Sequence, residues 1–457
     1  MQEANFGFSV GRIHNIEVPV TALYPVVTDI NGIFRGKRLP AQSADKVFKG
    51  TMKLPASTLH VDVFGRDALE SGLVLETGDR DGTVKPTGRG PLPLTWVDDD
   101  VSLLPCQMFL NEGEISPIDA RGQLQATVAR YAAAGLTPVC ATELEFYLFD
   151  PTTPGLQPPL VPGTANRMTA GSLYSVELLE AFKRFTDDIY QACEVWDVPA
   201  DAAISESGMG QFEVNLLHCD DAVKAADDAA LLKFIVRGVA RKHALGATFM
   251  AKPYGEDAGN GFHLHASVLD QAGANVFDNK SGRDSDLGSP VLASAVAGLL
   301  DAMQESTLLF APHLNSFRRL REGTHAPTTA SWGMDNRTAA VRIPAGPGAA
   351  RRFEHRVSGA DANPYLVLAS VLSAGLDGMQ AQSQPPEPFT GSSYEQDLPR
   401  LPRSWDEALA WFEGSGFIER TFGAGFRRAM VAAKRQELST FAEQVSAFEI
   451  ETYRDDV

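Results

Sequence analysis

Along residues 16–109, short apolar runs alternate with Gly, Pro and Asp punctuation, as in ALYPVVTDINGIFRGKRLP, LHVDVFGRD and GDRDGTVKPTGRGPLPLTW. Apolar stretches this brief, closed by turn-forming residues, predict a small β-rich unit. The pattern changes near residue 115. In DARGQLQATVARYAAAG the apolar positions take helical spacing, Asp119 stands as N-cap and Gly135 as stop. Two domains are therefore expected, 1–114 and 115–457, in a chain of the α+β class. Val176, Leu179, Phe182, Ile189 and Val195 recur at near-helical spacing and predict a helix over 175–197. A second helix is expected over 221–245. The Pro-rich pieces 150–162 and SQPPEPFTGSSYEQDLPRLPRS read as long loops. There is no repeat at solenoid spacing and no sustained heptad.

Four strand-like segments break the rule that interior strands are apolar. In CATELEFYLF, Glu143 and Glu145 share a face, because residues two apart in a strand point the same way. In GQFEVN, Gln211, Glu213 and Asn215 oppose Phe212 and Val214, with Glu206 just upstream in SESGMG. In GNGFHLHASV, His263, His265 and Ser267 share a side, and in RRFEHRV so do Arg352, Glu354 and Arg356. Each has an ordinary explanation alone: a solvated face, a surface His pair, a ladder of alternating charge. Spacing cannot by itself bring them together.

If they converge, electrostatics sets the consequence. Two like charges 4 Å apart at an effective dielectric of about 20 repel by roughly 4 kcal/mol. Pooled carboxylates would therefore raise one another's pKa or recruit cations. Oxygen ligands with an imidazole suit Mg²⁺ or Mn²⁺ better than zinc. Neighbouring arginines suit phosphate or carboxylate through paired hydrogen bonds. With a Gly-rich turn, the set describes phosphoryl transfer from a nucleotide.

Composition narrows the setting. Across 457 residues, 44% hydrophobic and 21% charged content are those of a soluble globular protein. A formal net charge of −18 argues against nucleic acid as partner; it could favour a cationic substrate but usually serves only solubility. MQEANFGFSV lacks the basic start and apolar run of a secretory signal, and 364–378 is too short to span a membrane. Cys106, Cys140, Cys193 and Cys219 show no C-x-x-C spacing and are expected as reduced, mostly buried thiols of a cytoplasmic protein.

The ordered motifs TELEFYLF, GQFEV, AKPYGEDAGNGFHLHASV, NSFRRL, NRTAAVRIP and ARRFEHRVSGADANPYL resemble the glutamine synthetase family over nearly the whole chain. DINGIFRGK and ASWGMDNRT are more similar to its γ-glutamyl–amine ligases, the glutamylpolyamine synthetase-like branch, than to the ammonia-using enzymes. The resemblance implies an N-terminal β-grasp domain and a catalytic domain whose antiparallel strands form a funnel-like barrel flanked by helices. It implies stacked rings, dodecameric in many members, with active sites between subunits. By motif, Glu145, Glu206 and Glu213 would hold one divalent ion, and Glu143, His263 and Glu354 a second. Gly259, Arg319 and Arg356 would bind L-glutamate. His265, Ser267, Arg337 and Arg352 would serve ATP, with Arg337 steadying the transferred phosphoryl group. Asp29, from a neighbouring subunit, would stand at the incoming nitrogen. The implied reaction runs through γ-glutamyl phosphate to an amide.

Three departures from the family pattern matter. His325 stands where the ammonia-using enzymes place a flap glutamate, which implies room for the carbon substituent of a primary amine. Ala258 replaces an asparagine that touches glutamate in many relatives. Tyr394 is out of register with the family's regulatory tyrosine, so adenylylation is not expected. The alternatives are an ammonia-dependent glutamine synthetase, a catalytically silent ring-forming relative, and a guanidino kinase. The last has no need of a β-rich unit carrying DINGIFRGK. The residues do not name the amine.

Overall fold

The computed structural model describes residues 12–13, 16–17, 21–111, 113–279, 288–455 and 457. The MQEANFGFSV stretch lies outside them. The β-rich expectation is met by a sheet whose main path runs β2 (Phe34–Gly36), β1 (Ala22–Thr28), β5 (Val101–Asn111), β4 (Asp81–Pro86), β3 (Lys53–Pro55). β1 and β5 are parallel and the other neighbours antiparallel. Leu23, Val27, Val84, Leu103 and Met108 are among its buried side chains; along β1 and β5 most residues are buried, with no regular alternation with exposed ones.

Helix α1 (Ala120–Ala133) begins where its cap was expected: the Asp119 carboxylate accepts the Gly122 N–H at 2.8 Å. It ends before Gly135, which holds φ +69°. The single helix expected over 175–197 is two, α2 (Val176–Ala181) and α3 (Lys183–Val195). Phe182 leaves helical geometry between them and buries its ring 5.3 Å from that of Phe212, so core packing overrides the helical period there. Helix α4 (Ala222–Lys242) starts from Asp221, whose carboxylate accepts the N–H groups of Val223 and Lys224. The 150–162 segment carries only isolated bridges, Asp150 to Gln157 and Leu160 to Arg167.

The second sheet runs β7 (Ala200–Ser205), β8 (Gln211–Leu216), β6 (Leu136–Phe149), β9 (Phe262–Asp270), β12 (Phe353–His355), β11 (Val341–Ile343), β10 (Trp332–Met334). All neighbours are antiparallel except β10 and β11, which are parallel. The expectation of antiparallel strands throughout fails at that edge. Helices α1 and α4 pack against β6, and α7 (Pro364–Ala381) packs on α1, α4 and α5 (Pro290–Phe310); α4, α5 and α7 are all rich in buried Ala, Leu and Val. No helix among the described residues is long and apolar enough to cross a membrane. The four cysteines are unpaired; Cys106, Cys140 and Cys193 are buried.

The two sheets share one core. Trp96 packs on Trp196 and Phe234 at ring distances of 5.2 and 5.8 Å, and burying rings of this size contributes about 2 kcal/mol each. The Asn363 side chain caps α7 through the Tyr365 N–H and also donates to the Asp29 carbonyl at 2.9 Å. In helix α8 (Gly416–Ala442), Lys434 and Glu437 pair with no exposed surface. Lys434 also donates to Asn31, and Glu437 accepts the Val63 N–H. A buried pair is tolerable only when its remaining donors and acceptors are met in this way.

Candidate active site

The register of the second sheet puts the four charged faces side by side. Glu143 lies opposite both Asn215 and His263, Glu145 opposite Glu213, and His265 opposite Glu354. Directly opposed residues project on one side of a sheet, so acids and imidazoles from four strands meet over one surface. Glu143, Glu213 and His263 offer ligand atoms within 4.8 Å of one another, and so do Glu143, His265 and Glu354. Glu206 sits in the turn before β8, close enough to Glu145 to feel its charge.

Glu143 is the hub. Its two oxygens lie 3.0 Å from His263 Nδ1 and 2.9 Å from His265 Nε2. Arg352 Nε donates to His265 Nδ1 at 3.1 Å, so that nitrogen is an acceptor and the ring proton belongs on Nε2, facing Glu143. Burial alone would raise the Glu143 pKa, but hydrogen bonds from both imidazoles outweigh it and hold it far below the usual carboxylate range. Glu354 is also penalised by burial. Arg356 and His263 offset that and leave it at about 2. Arg356 forms an ion pair with Glu354, and Arg342 binds its other oxygen at 2.7 Å.

The acids toward β8 behave oppositely. Burial first, then the Glu145 charge, pushes Glu206 up to about 7 and raises Glu213 further. Among the described residues Glu213 has no hydrogen-bonding cation. Such a pool of oxygens and imidazoles, with part of its charge unmatched by protein cations, fits a hard divalent ion such as Mg²⁺ or Mn²⁺.

Arg319, on the short α6 (Ser316–Arg319), is buried beneath these groups and donates to the Val357 and Arg356 carbonyls at 2.7 and 3.3 Å. Gly259 packs against its stem: a Cβ there would meet Arg319 Cγ and the Ala251 carbonyl oxygen at 2.8 Å each. Arg337 is exposed at the rim, within electrostatic reach of Glu206, and its carbonyl accepts from Arg356 Nε at 3.2 Å. Ser267 lies two residues outward from His265 on β9. His325 is exposed, with φ +57°, and the Ala326 carbonyl beside it accepts from Tyr394 Oη at 2.9 Å.

Asp29, expected at the incoming nitrogen of a neighbour's site, lies in the β1–β2 turn. Its carboxylate has no exposed surface within its own chain and accepts from the Asn31 and Ile33 N–H groups at 2.8 and 2.9 Å and from Arg35 at 2.9 Å, so it staples that turn.

Other side chains of the site carried no assigned role in the sequence. Gln211 Nε2 donates to Glu145, the Gly259 carbonyl and Asn260 Oδ1, tying three segments together. A Cβ on Gly261 would meet His263 Nε2 at 2.7 Å. Arg342 bridges Glu354 and Asp335. The Gln211 face and the second glycine of GNG were visible signals; Arg342 in AVRIP had none beyond its charge.

Residues 117–453 match the family described as glutamine synthetase, catalytic domain. The chain belongs to the glutamine synthetase family. Within that family it is 39% identical over 429 residues to the γ-glutamylputrescine synthetase PuuA of Escherichia coli K12, covering 93% of this chain and 90% of that one. It is 31% identical to a glutamate–isopropylamine ligase of a Pseudomonas species, covering 93% of each. Ligand-free GmaS has a similar structure, with a TM-score of 0.82 at 27% identity, covering 96% of this chain and 98% of that one. The chain thus groups with the family's γ-glutamyl–amine ligases.

Proposed function

We propose that this protein joins the γ-carboxylate of L-glutamate to a primary amine at the expense of ATP. The observation that carries the reading is the single surface on which Glu143, Glu145, Glu213, His263, His265 and Glu354 face Arg319 and Arg356. Amine-using relatives at up to 39% identity support the acceptor class.

Carboxylate is a poor electrophile, so it must first be activated. Glu145, Glu206 and Glu213 would hold one Mg²⁺ or Mn²⁺ ion, and Glu143, His263 and Glu354 another, with His265 close enough to share the second. When bound, these ions supply the positive charge that lets ATP and a carboxylate approach. Arg319 and Arg356 hold glutamate by its charges, and Gly259 lets the backbone come close. Arg352, oriented by His265, serves the phosphates together with Ser267, and Arg337 reaches in from the rim. The γ-carboxylate attacks the terminal phosphorus, ADP leaves, and γ-glutamyl phosphate remains. The amine then attacks the acyl carbon, inorganic phosphate departs, and a proton is lost from nitrogen. Preorganised charge of this kind is worth about 3 kcal/mol for each well-placed group. His325 in place of a flap carboxylate leaves space for the amine's carbon chain.

The same reading makes residues 1–114 a β-grasp domain and the second sheet one wall of a funnel in a 115–457 catalytic domain. It makes the protein a cytoplasmic homo-oligomer of stacked rings. A phosphate-release assay with glutamate, ATP and a panel of nitrogen donors tests the function: at least one primary amine should turn over faster than ammonium. Faster turnover with ammonium than with every amine would return the protein to the ammonia-using class.

A further inference from the structure

Between the first sheet and α4 lies a groove of about 590 Å³, well inside the range of small-molecule sites. Its floor is aromatic. Phe34 and Phe234 pack at 5.6 Å and Trp96 lies 5.8 Å from Phe234, with Tyr24 beside them. Gly238, in the middle of α4, is the position that lets the Trp96 indole lie against the helix backbone, since any Cβ there would run into the ring. Glycine inside a helix costs about 1 kcal/mol relative to alanine, a cost offset here by seating that ring.

The rim has one sign of charge. Lys37 and Arg38 come from the loop after β2, Arg241 and Lys242 from the end of α4, and no Asp or Glu is among the described lining residues. Lys242 is paired with Asp188, and Lys37 donates to the Lys53 carbonyl. Arg38 and Arg241 are exposed, and their side chains take part in no ion pair or hydrogen bond among the described residues. The α4 C-terminal dipole accounts for a cation at Arg241 or Lys242, but not for Arg38 on another element. In a chain of net charge −18, four cations around an aromatic floor form a local attractor for anions. Neutral aromatics would gain only the floor; inorganic anions would gain only the rim.

We infer that this groove binds a planar aromatic acid, its ring on Trp96 and Phe234 and its carboxylate between Arg38 and Arg241. The groove shares no residue with the ligase site, so either reading can fail without the other.

Isothermal titration of the full chain with 2-naphthoate tests it, against 2-naphthamide as the uncharged isostere. One saturable site per chain is expected, at least about tenfold weaker for the amide and for the Arg38→Ser/Arg241→Ser variant. Val97→Asp, which adds a carboxylate at the exposed rim, should weaken binding likewise. Ligase turnover at saturating substrates should be unchanged in both variants. No saturable heat at millimolar 2-naphthoate, or equal affinity for the amide, overturns the inference. So does a light-scattering mass that falls in the arginine variant without any heat of ligand binding, which would give the groove to a second copy of the chain.

Discussion

Replacing Gly259 by alanine probes the glutamate pocket with one methyl group. The new Cβ would sit 2.8 Å from the Ala251 carbonyl oxygen and 2.8 Å from Arg319 Cγ, roughly 0.6 Å inside ordinary van der Waals contact. Neither neighbour can give freely. The Ala251 oxygen already accepts the Asn260 N–H at 2.8 Å, and Arg319 is pinned through Val357 and Arg356. Overpacking of this kind costs about 1–3 kcal/mol. A displaced Arg319 is a misplaced substrate contact, and errors approaching 1 Å commonly cost on the order of a hundredfold. Steady-state phosphate release should therefore show kcat/KM for glutamate lowered about 10- to 100-fold, with KM for ATP nearly unchanged. Thermal unfolding should fall by about 2–8 °C. A variant within twofold of the parent for glutamate, with an unchanged melting temperature, would refute the placement of Gly259 and Arg319 at the substrate.

His325→Glu should shift donor choice toward ammonium, raising the ammonium-to-amine ratio of kcat/KM about tenfold or more in the donor panel; an unchanged ratio removes His325 from the acceptor site. Thorough chelation should abolish ATP consumption, and Mg²⁺ or Mn²⁺ should restore it while raising the melting temperature, as any ligand specific to the folded state does. His60 is buried with neither ring nitrogen hydrogen-bonded, and burial lowers its pKa. The unfolded chain takes up a proton near pH 6.5 that the folded chain refuses, so this histidine's contribution is intact above that pH and lost below it. The loss amounts to at most about 1.4 kcal/mol per pH unit. His60→Phe should accordingly show a smaller fall in denaturation midpoint between pH 7 and pH 5 than the parent; equal slopes would mean that His60 titrates normally.

Much of the arrangement was readable from spacing because strands impose a period of two. Glu143 with Glu145, His263 with His265, and Arg352 with Glu354 and Arg356 each declare a face without any tertiary information. What spacing lacks is register between strands. Nothing in TELEFYLF and GFHLHASV says that Glu143 will oppose His263, and it is that pairing that makes His265 a neighbour of Glu143 and Glu354. The cap at Asp119 and the start of a helix near residue 221 were legible for a similarly local reason. Phe182 was not, because its break follows from a partner thirty residues away, Phe212. The DINGI turn likewise did not show that the Asp29 oxygens accept from the Asn31 and Ile33 amides and from Arg35 within their own chain.

Glu143 divides its two oxygens between two rings, one from each candidate donor trio. In the proposed arrangement both rings border the same ion position, so a cation entering there must take an oxygen away from an imidazole. The ring released then loses its partner, and the uptake of that ion is tied to the tautomer and tilt of a histidine.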